Sequence, residues 1–332
     1  MNDTIVPGGT GADDAEDERL AALVGRYLHL LPMFADQFPS LPAVEWPALT
    51  EAQRRDRARG ALLGVAVAEA LTGDVPGHWG AGTATALCLA QSLQRVPGAL
   101  DQYDLAQRLS RWMNDGEPSA GGVAVEVDDE TRQALARFAQ DDEPAAGVEG
   151  DGRSGYGALR RLVPLAIAFA GDRDRARVLA IKQARVTHGG REGLDACELF
   201  IVQLIDALQG ASAEQAVRPR VMNLVPRVLA LDGGEGLDAR PAPTSAGPDA
   251  VDTLRAAWWA VLRADSFAAA VWAVTDLPGD SRGAVAVAGA LAGALWGAAA
   301  LPADELAGLV RGQEIEDTAD ALFELSRAFQ AG

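Results

Sequence analysis

The chain has 332 residues, few aromatics (5%) and a formal net charge of −18. That excess of acid argues against non-specific nucleic-acid binding and against an anionic membrane surface, and for solubility. Of its 29 basic residues only Lys182 is a lysine. The arginines suit bidentate phosphate contacts in a local pocket, although a biased codon composition accounts for them equally well.

Residues 1–19 are polar and acidic and read as a disordered tail, with no basic or apolar leader segment. Over residues 20–49, Leu20, Leu23, Val24, Tyr27, Leu28 and Leu31 fall at helical spacing before Pro39, Pro42 and Pro47 break the chain. This is an appendage, expected to dock on the main domain or to engage a protein partner. The main domain spans 50–332. Thr50 is the expected N-cap of its first helix, in which RGALLGVAVAEAL places Gly60, Gly64 and Ala68 four apart.

A loop over residues 72–82 leads to the helix TATALCLAQSLQRV and to another ending near Trp112 and Met113. Loops over 114–122 and 141–157 flank a helix at Asp129–Gln140, with acids at its N-terminal dipole. Helices follow at Leu159–Ala170, with Pro164 kinking it or near its start, and at Arg173–Arg185 and Leu194–Gln209. After a loop over 232–248, helices are expected at Val251–Arg263, Ser266–Thr275 and Glu314–Phe329. Val and Ile are scattered through the chain, which points to helix, and the expected fold class is all-α.

Between the last two of these lies DSRGAVAVAGALAGALWG, Asp280–Gly297, uncharged beyond Arg282. Gly289, Gly293 and Gly297 recur every four residues, a smooth strip on one helical face. Gly costs about 1 kcal/mol against Ala in a helix interior, so the strip serves close packing, and the Gly60–Gly64–Ala68 strip is its expected partner. The uncharged run is long enough to suggest a membrane span, but its Ala and Gly content and flanking acids fit a buried helix of a soluble protein. Its polar head, Asp280, Ser281 and Arg282, sits at a helix N-terminus, which favours anions.

The side chains suited to chemistry are few. His29 lies in the appendage and reads as packing; His78 sits in the loop VPGHWG beside Trp79; His188 precedes two glycines, where it caps a helix or meets a ligand. Glu69 is an acid among apolar neighbours, a setting that raises a carboxyl pKa. Cys88 and Cys197, without a CxxC partner, read as buried free thiols of a reducing, cytoplasmic compartment. No zinc cluster or phosphate loop is present.

From about Arg57 to Pro302 the order of motifs resembles the ADP-ribosylglycohydrolase family. RGALLGVAVAEALTG is similar to its opening helix, often GALLGLAVGDALG; TALCLAQSL to the helix after its first metal motif; GYGALRRLVPLAIAF to a segment usually read NGALMRVAPLAL. Thr187-His188 matches a Thr-His pair, and DSFAAAVWAV with LPGDSRGAVAVAGALAGALWG resembles the C-terminal signature. The resemblance implies an all-α fold and two magnesium ions that assist cleavage of ADP-ribose from a modified group.

The departures from that pattern fall on the metal motifs. Thr-Asp-Asp-Thr stands here as Gly80-Ala81-Gly82-Thr83, and Asp-Thr-Asp-Thr as Asp280-Ser281-Arg282-Gly283. The Asn of the Asn-Gly pair is Tyr156, and Asp-Ile-Gly is Glu126-Val127-Asp128. The expectation is a degenerate member, with no cofactor, that binds ADP-ribose, a nucleotide-like ligand or a protein partner. Thr83, Tyr156, Thr187, Asp280, Ser281 and Arg282 are the expected ligand-binding residues. The alternative is a hydrolase of metal-independent chemistry on an N- or O-glycosidic or related small-molecule substrate, with Glu69 or Glu126 as base and His188 as positioning group or proton donor.

Overall fold

The computed structural model describes residues 41, 44–150, 154–218, 220–232, 242–247 and 249–330. The expected acidic tail, the helix near residues 20–31 and His29 lie outside the described residues. Among the described residues there are 14 α-helices and no strand, and one isolated bridge joins Gly155 to Asp249.

The first helix, α1 (Glu51–Thr72), opens with a capping box. The Thr50 amide donates to Gln53 Oε1 at 2.9 Å, and the Gln53 amide donates to Thr50 Oγ1 at 3.2 Å. The next helices are α2 (Ala81–Arg95), α3 (Gln102–Asp115) and α4 (Asp129–Asp141). Asp101 and Asp128 cap α3 and α4 with their carboxylates, and Gly116, with φ of 77°, ends α3. α5 is only Val163–Ala168, shorter than the expected Leu159–Ala170: Pro164 sits in its first turn, and residues 157–161 form turns instead.

Next come α6 (Arg173–Arg185) and α7 (Arg191–Gln209), which is buried along its length from Gly193 to Leu208. The later helices are α8 (Ala213–Ala216), α9 (Pro226–Leu229), α10 (Ala250–Arg263), α11 (Phe267–Thr275), α12 (Arg282–Trp296), α13 (Ala303–Gly308) and α14 (Gly312–Gln330). α8, α9 and α13 were not anticipated, because four to six residues are too short to display a helical period. No described helix is long and apolar enough to cross a membrane. α12 stops after 15 residues at Gly297, whose φ is 83°. Cys88 and Cys197 are buried and free.

Packing is organised around α1 against α12, with α2 and α14 on α1 and with α10 and α11 on α12. The two glycine strips meet face to face. A Cβ on Gly64 would overlap the Gly289 backbone carbonyl, and one on Gly293 would overlap that of Gly60. A Cβ on Gly289 would also stand only 2.6 Å from the Ala68 methyl. The backbones are therefore closer than any larger side chain permits, and what the glycines cost in propensity is offset by dispersion contact along the crossing.

The close crossing predicts an asymmetry among glycines. Gly293→Leu should destabilise the protein by about 3 kcal/mol or more by overpacking. Gly308→Ala, at a glycine with no neighbour within 4 Å of the added methyl, should stay within about 0.5 kcal/mol. Urea denaturation of both variants checks this.

Candidate functional site

The α1–α12 crossing sets the C-terminal end of α1 beside the N-terminal ends of α2 and α12. The N-cap position of α2 is Gly80, which has no side chain to cap the helix. The cap comes from α1 instead. Glu69 Oε2 accepts from the Gly80 amide (3.0 Å), the Thr83 amide (3.0 Å) and the Thr83 hydroxyl (2.7 Å), and Oε1 accepts from the Gly82 amide (2.7 Å). A carboxylate at this position satisfies orphan donors and complements the helix dipole. It also moves the helix start to Ala81, two residues before the expected Thr83.

Desolvation pushes the Glu69 pKa above the usual carboxylate value, against the pull of the Thr83 hydrogen bonds and the Arg160 charge. Gly82 is needed for this approach, since a Cβ there would lie 2.5 Å from Glu69 Oε1.

The head of α12 is closed on itself. Arg282 grips Asp280 with a two-pronged fork, Nε to Oδ1 at 2.8 Å and Nη2 to Oδ2 at 2.7 Å, and its backbone amide adds a bond of 3.2 Å to Oδ1. The Tyr156 hydroxyl donates to Asp280 Oδ2 at 2.9 Å. The tyrosine ring lies on Gly283, where a Cβ would stand 2.6 Å from Cγ of the ring. The unusual residues at 156, 282 and 283 thus fit together: the glycine makes room for the ring, and the ring and the guanidinium share one carboxylate. Arg282 in particular holds the Asp280 pKa down to about 2. Burial and the Asp280 bond push the Tyr156 hydroxyl up to about 12.

Behind these lies a buried chain of polar groups. Arg161 donates to Gln183 Oε1 (2.7 Å), the Gln183 carbonyl (2.8 Å) and Thr187 Oγ1 (2.9 Å). Thr187 Oγ1 is 2.7 Å from His188 Nδ1, and His188 Nε2 is 3.5 Å from Asp128 Oδ1. Burial works against the Asp128 charge, but the His188 ring and Arg160 hold its pKa well below the usual value.

A cleft of about 500 Å³ opens over these helix ends. Glu69, Trp79, Gly80, Glu126, Arg282 and Val285 line it, with His78 and Asp74 also on its wall. Its mouth carries three exposed valines, Val75, Val123 and Val125. Of the residues expected to bind or react, Glu69, Glu126 and Arg282 line the cleft, and Thr83, Tyr156 and Asp280 bond directly to these or to one another. The Ser281 side chain makes no capping bond, and only its carbonyl is engaged, by the Val285 amide. Thr187 and His188 are buried and do not line the cleft.

Sequence reading missed Arg160, which is buried beneath the cleft with Nη1 3.5 Å from Glu126 Oε2 and its guanidinium 5.5 Å from the centre of the Tyr156 ring. The available signal was the pair Arg160-Arg161 where the family segment reads Met-Arg.

Magnesium asks for several free oxygen ligands in near-octahedral geometry. The oxygens of Glu69 and Asp280 are taken by N–H and O–H donors, and two guanidinium groups stand among the acids. No group of three or more His, Cys, Asp or Glu side chains among the described residues is arranged to hold a metal. As arranged, these residues do not fit the ion.

The sequence model of the ADP-ribosylglycohydrolase family matches residues 50–331. An ADP-ribosylarginine hydrolase of Pseudomonas putida (strain GB-1) is 31% identical, with 92% of this chain and 93% of the relative covered. Another of the same description, from Serratia proteamaculans (strain 568), is 30% identical over 89% of this chain and 87% of its own. A solved ADP-ribosylglycohydrolase-related protein complex superposes with a TM-score of 0.71 at 34% identity, covering 83% of this chain and 99% of that one.

The Asp280 cluster makes an acid-limb prediction. Its pKa is lowered in the folded protein, so its contribution to stability is present above the unfolded value near 4 and is lost as pH falls toward about 2. Between those pH values the stability gap between the protein and its Asp280→Asn variant should narrow, and in an Arg282→Gln background most of that narrowing should vanish. Thermal melts across the range measure both.

Proposed function

Because the chain belongs to the ADP-ribosylglycohydrolase family, we propose that its cleft takes an ADP-ribose-like group and holds it without magnesium and without hydrolysing it. The observation that carries this reading is the closure of Asp280 by Arg282 and Tyr156. The one acid retained at the head of α12 is satisfied internally, and a permanent cation stands on the cleft wall beside it.

The ligand class follows from the family and from the wall itself. A guanidinium has five N–H donors; Asp280 takes one fork, and the rest of the Arg282 side chain is half exposed to the cleft. That suits a phosphate oxygen. Val75, Val123 and Val125 offer apolar surface for a base or a ribose face. A cytoplasmic location, supported by the free buried thiols, and a protein partner engaged through residues 1–49 belong to the same reading.

One observation favours the alternative of a metal-independent hydrolase. Glu69 Oε1 and Glu126 Oε2 lie 3.1 Å and 3.4 Å from the point where a Gly80 Cβ would stand, two carboxylates facing one position as in glycosidases. Glu126 also holds a left-handed backbone, φ 53°, a strain often found at functional sites.

Calorimetry with ADP-ribose distinguishes the readings. The expected result is binding of equal strength in magnesium and in chelator, no release of ADP-ribose from ADP-ribosyl-arginine, and a loss of about tenfold, or about 1.4 kcal/mol, in Arg282→Ala. Binding that depends on magnesium overturns the proposal. Turnover that survives chelation and disappears in Glu126→Gln establishes the alternative instead.

A further inference from the structure

The two arginines of the segment GYGALRRL are both buried, and they are held differently. Arg161 is anchored by close bonds to Gln183 and Thr187, as a structural arginine should be. Arg160 has two hydrogen bonds, both to Glu126 and both longer: Nη2 to the carbonyl at 3.2 Å and Nη1 to Oε2 at 3.5 Å. A second acid lies further off, with Nη2 4.0 Å from Asp128 Oδ2. Nε has no hydrogen-bond partner.

Its position joins the two places where the sequence departs from the metal motifs. On one side Glu126 reaches toward Gly80 and the Glu69 carboxylate. On the other, the guanidinium stacks over the Tyr156 ring, whose hydroxyl binds Asp280. A guanidinium that is 2% exposed is costly to bury unless opposite charge surrounds it. Here that charge is divided between two carboxylates, at 3.5 Å and 4.0 Å, the arrangement of a shared cation and not of a single fork. The family segment has an apolar Met at this position.

We propose that Arg160 is the resident cation of this cleft, a covalently attached positive charge that neutralises and arranges Glu126 and Asp128 in place of a divalent ion. Arg160 acts through these acids and is a positioning residue. The left-handed Glu126 backbone is part of the device, since its carbonyl is what Arg160 ties down. The inference deepens the reading of a metal-free cleft and rests on it.

The test uses the full chain without ADP-ribose, so that its outcome is separate from that of the binding experiment. Melting temperatures are measured in magnesium chloride and in chelator for the wild type, R160M, R160K and R160M/E126Q. R160M should melt roughly 5 °C or more below wild type; R160K should recover much of the loss, and E126Q should recover part of it by removing an unbalanced acid. Magnesium should raise the R160M melt while leaving the wild type unchanged. If R160M does not fold alone, recovery of a folded R160M/E126Q protein supports the proposal. A stable R160M indifferent to magnesium, or a double variant no better folded than the single, overturns it. Loss of ADP-ribose binding alongside these shifts would remove the proposed ligand and leave the resident cation standing.

Discussion

The backbone contact between α1 and α12 is the constraint on which the cleft depends. Carbonyls of Gly60, Gly64 and Gly289 lie where a methyl group would otherwise be, so the two helices are locked in register as well as in proximity. That register puts Glu69, near the end of α1, within reach of the α2 start, and puts the head of α12 on the same cleft.

The cleft built there is electrostatically self-contained. Glu69 satisfies the free amides of α2, Asp280 is shared by Arg282 and Tyr156, and Arg160 faces Glu126 and Asp128. Several departures from the family pattern fit against one another. Gly82 admits the Glu69 carboxylate and Gly283 admits the Tyr156 ring, while the arginines balance acids that would otherwise repel one another.

Much of this was legible in the residue string. Period-four glycines announced a close helix pair, and Thr50 announced the start of α1. The ordered motifs announced the family, which the match over residues 50–331 establishes. Other features were hidden for identifiable reasons. Short helices such as α8 and α13 show no period, and Pro164 left it open where α5 begins. The role of Glu69 as a cap for α2 was invisible because the cap and the helix it serves are eleven residues apart, joined by a loop whose path sequence does not specify.

What the sequence determined by itself is the all-α class, the family and the pairing of two glycine-faced helices, because these rest on local periodicity and motif order. What only the tertiary structure decided is which charges meet. Asp280 with Tyr156, Glu69 with Thr83, and Arg160 with Glu126 are partners 14 to 124 residues apart. The physical reason is that an ion pair is a matter of ångströms while a motif is a matter of order along the chain, and only the folded backbone converts one into the other.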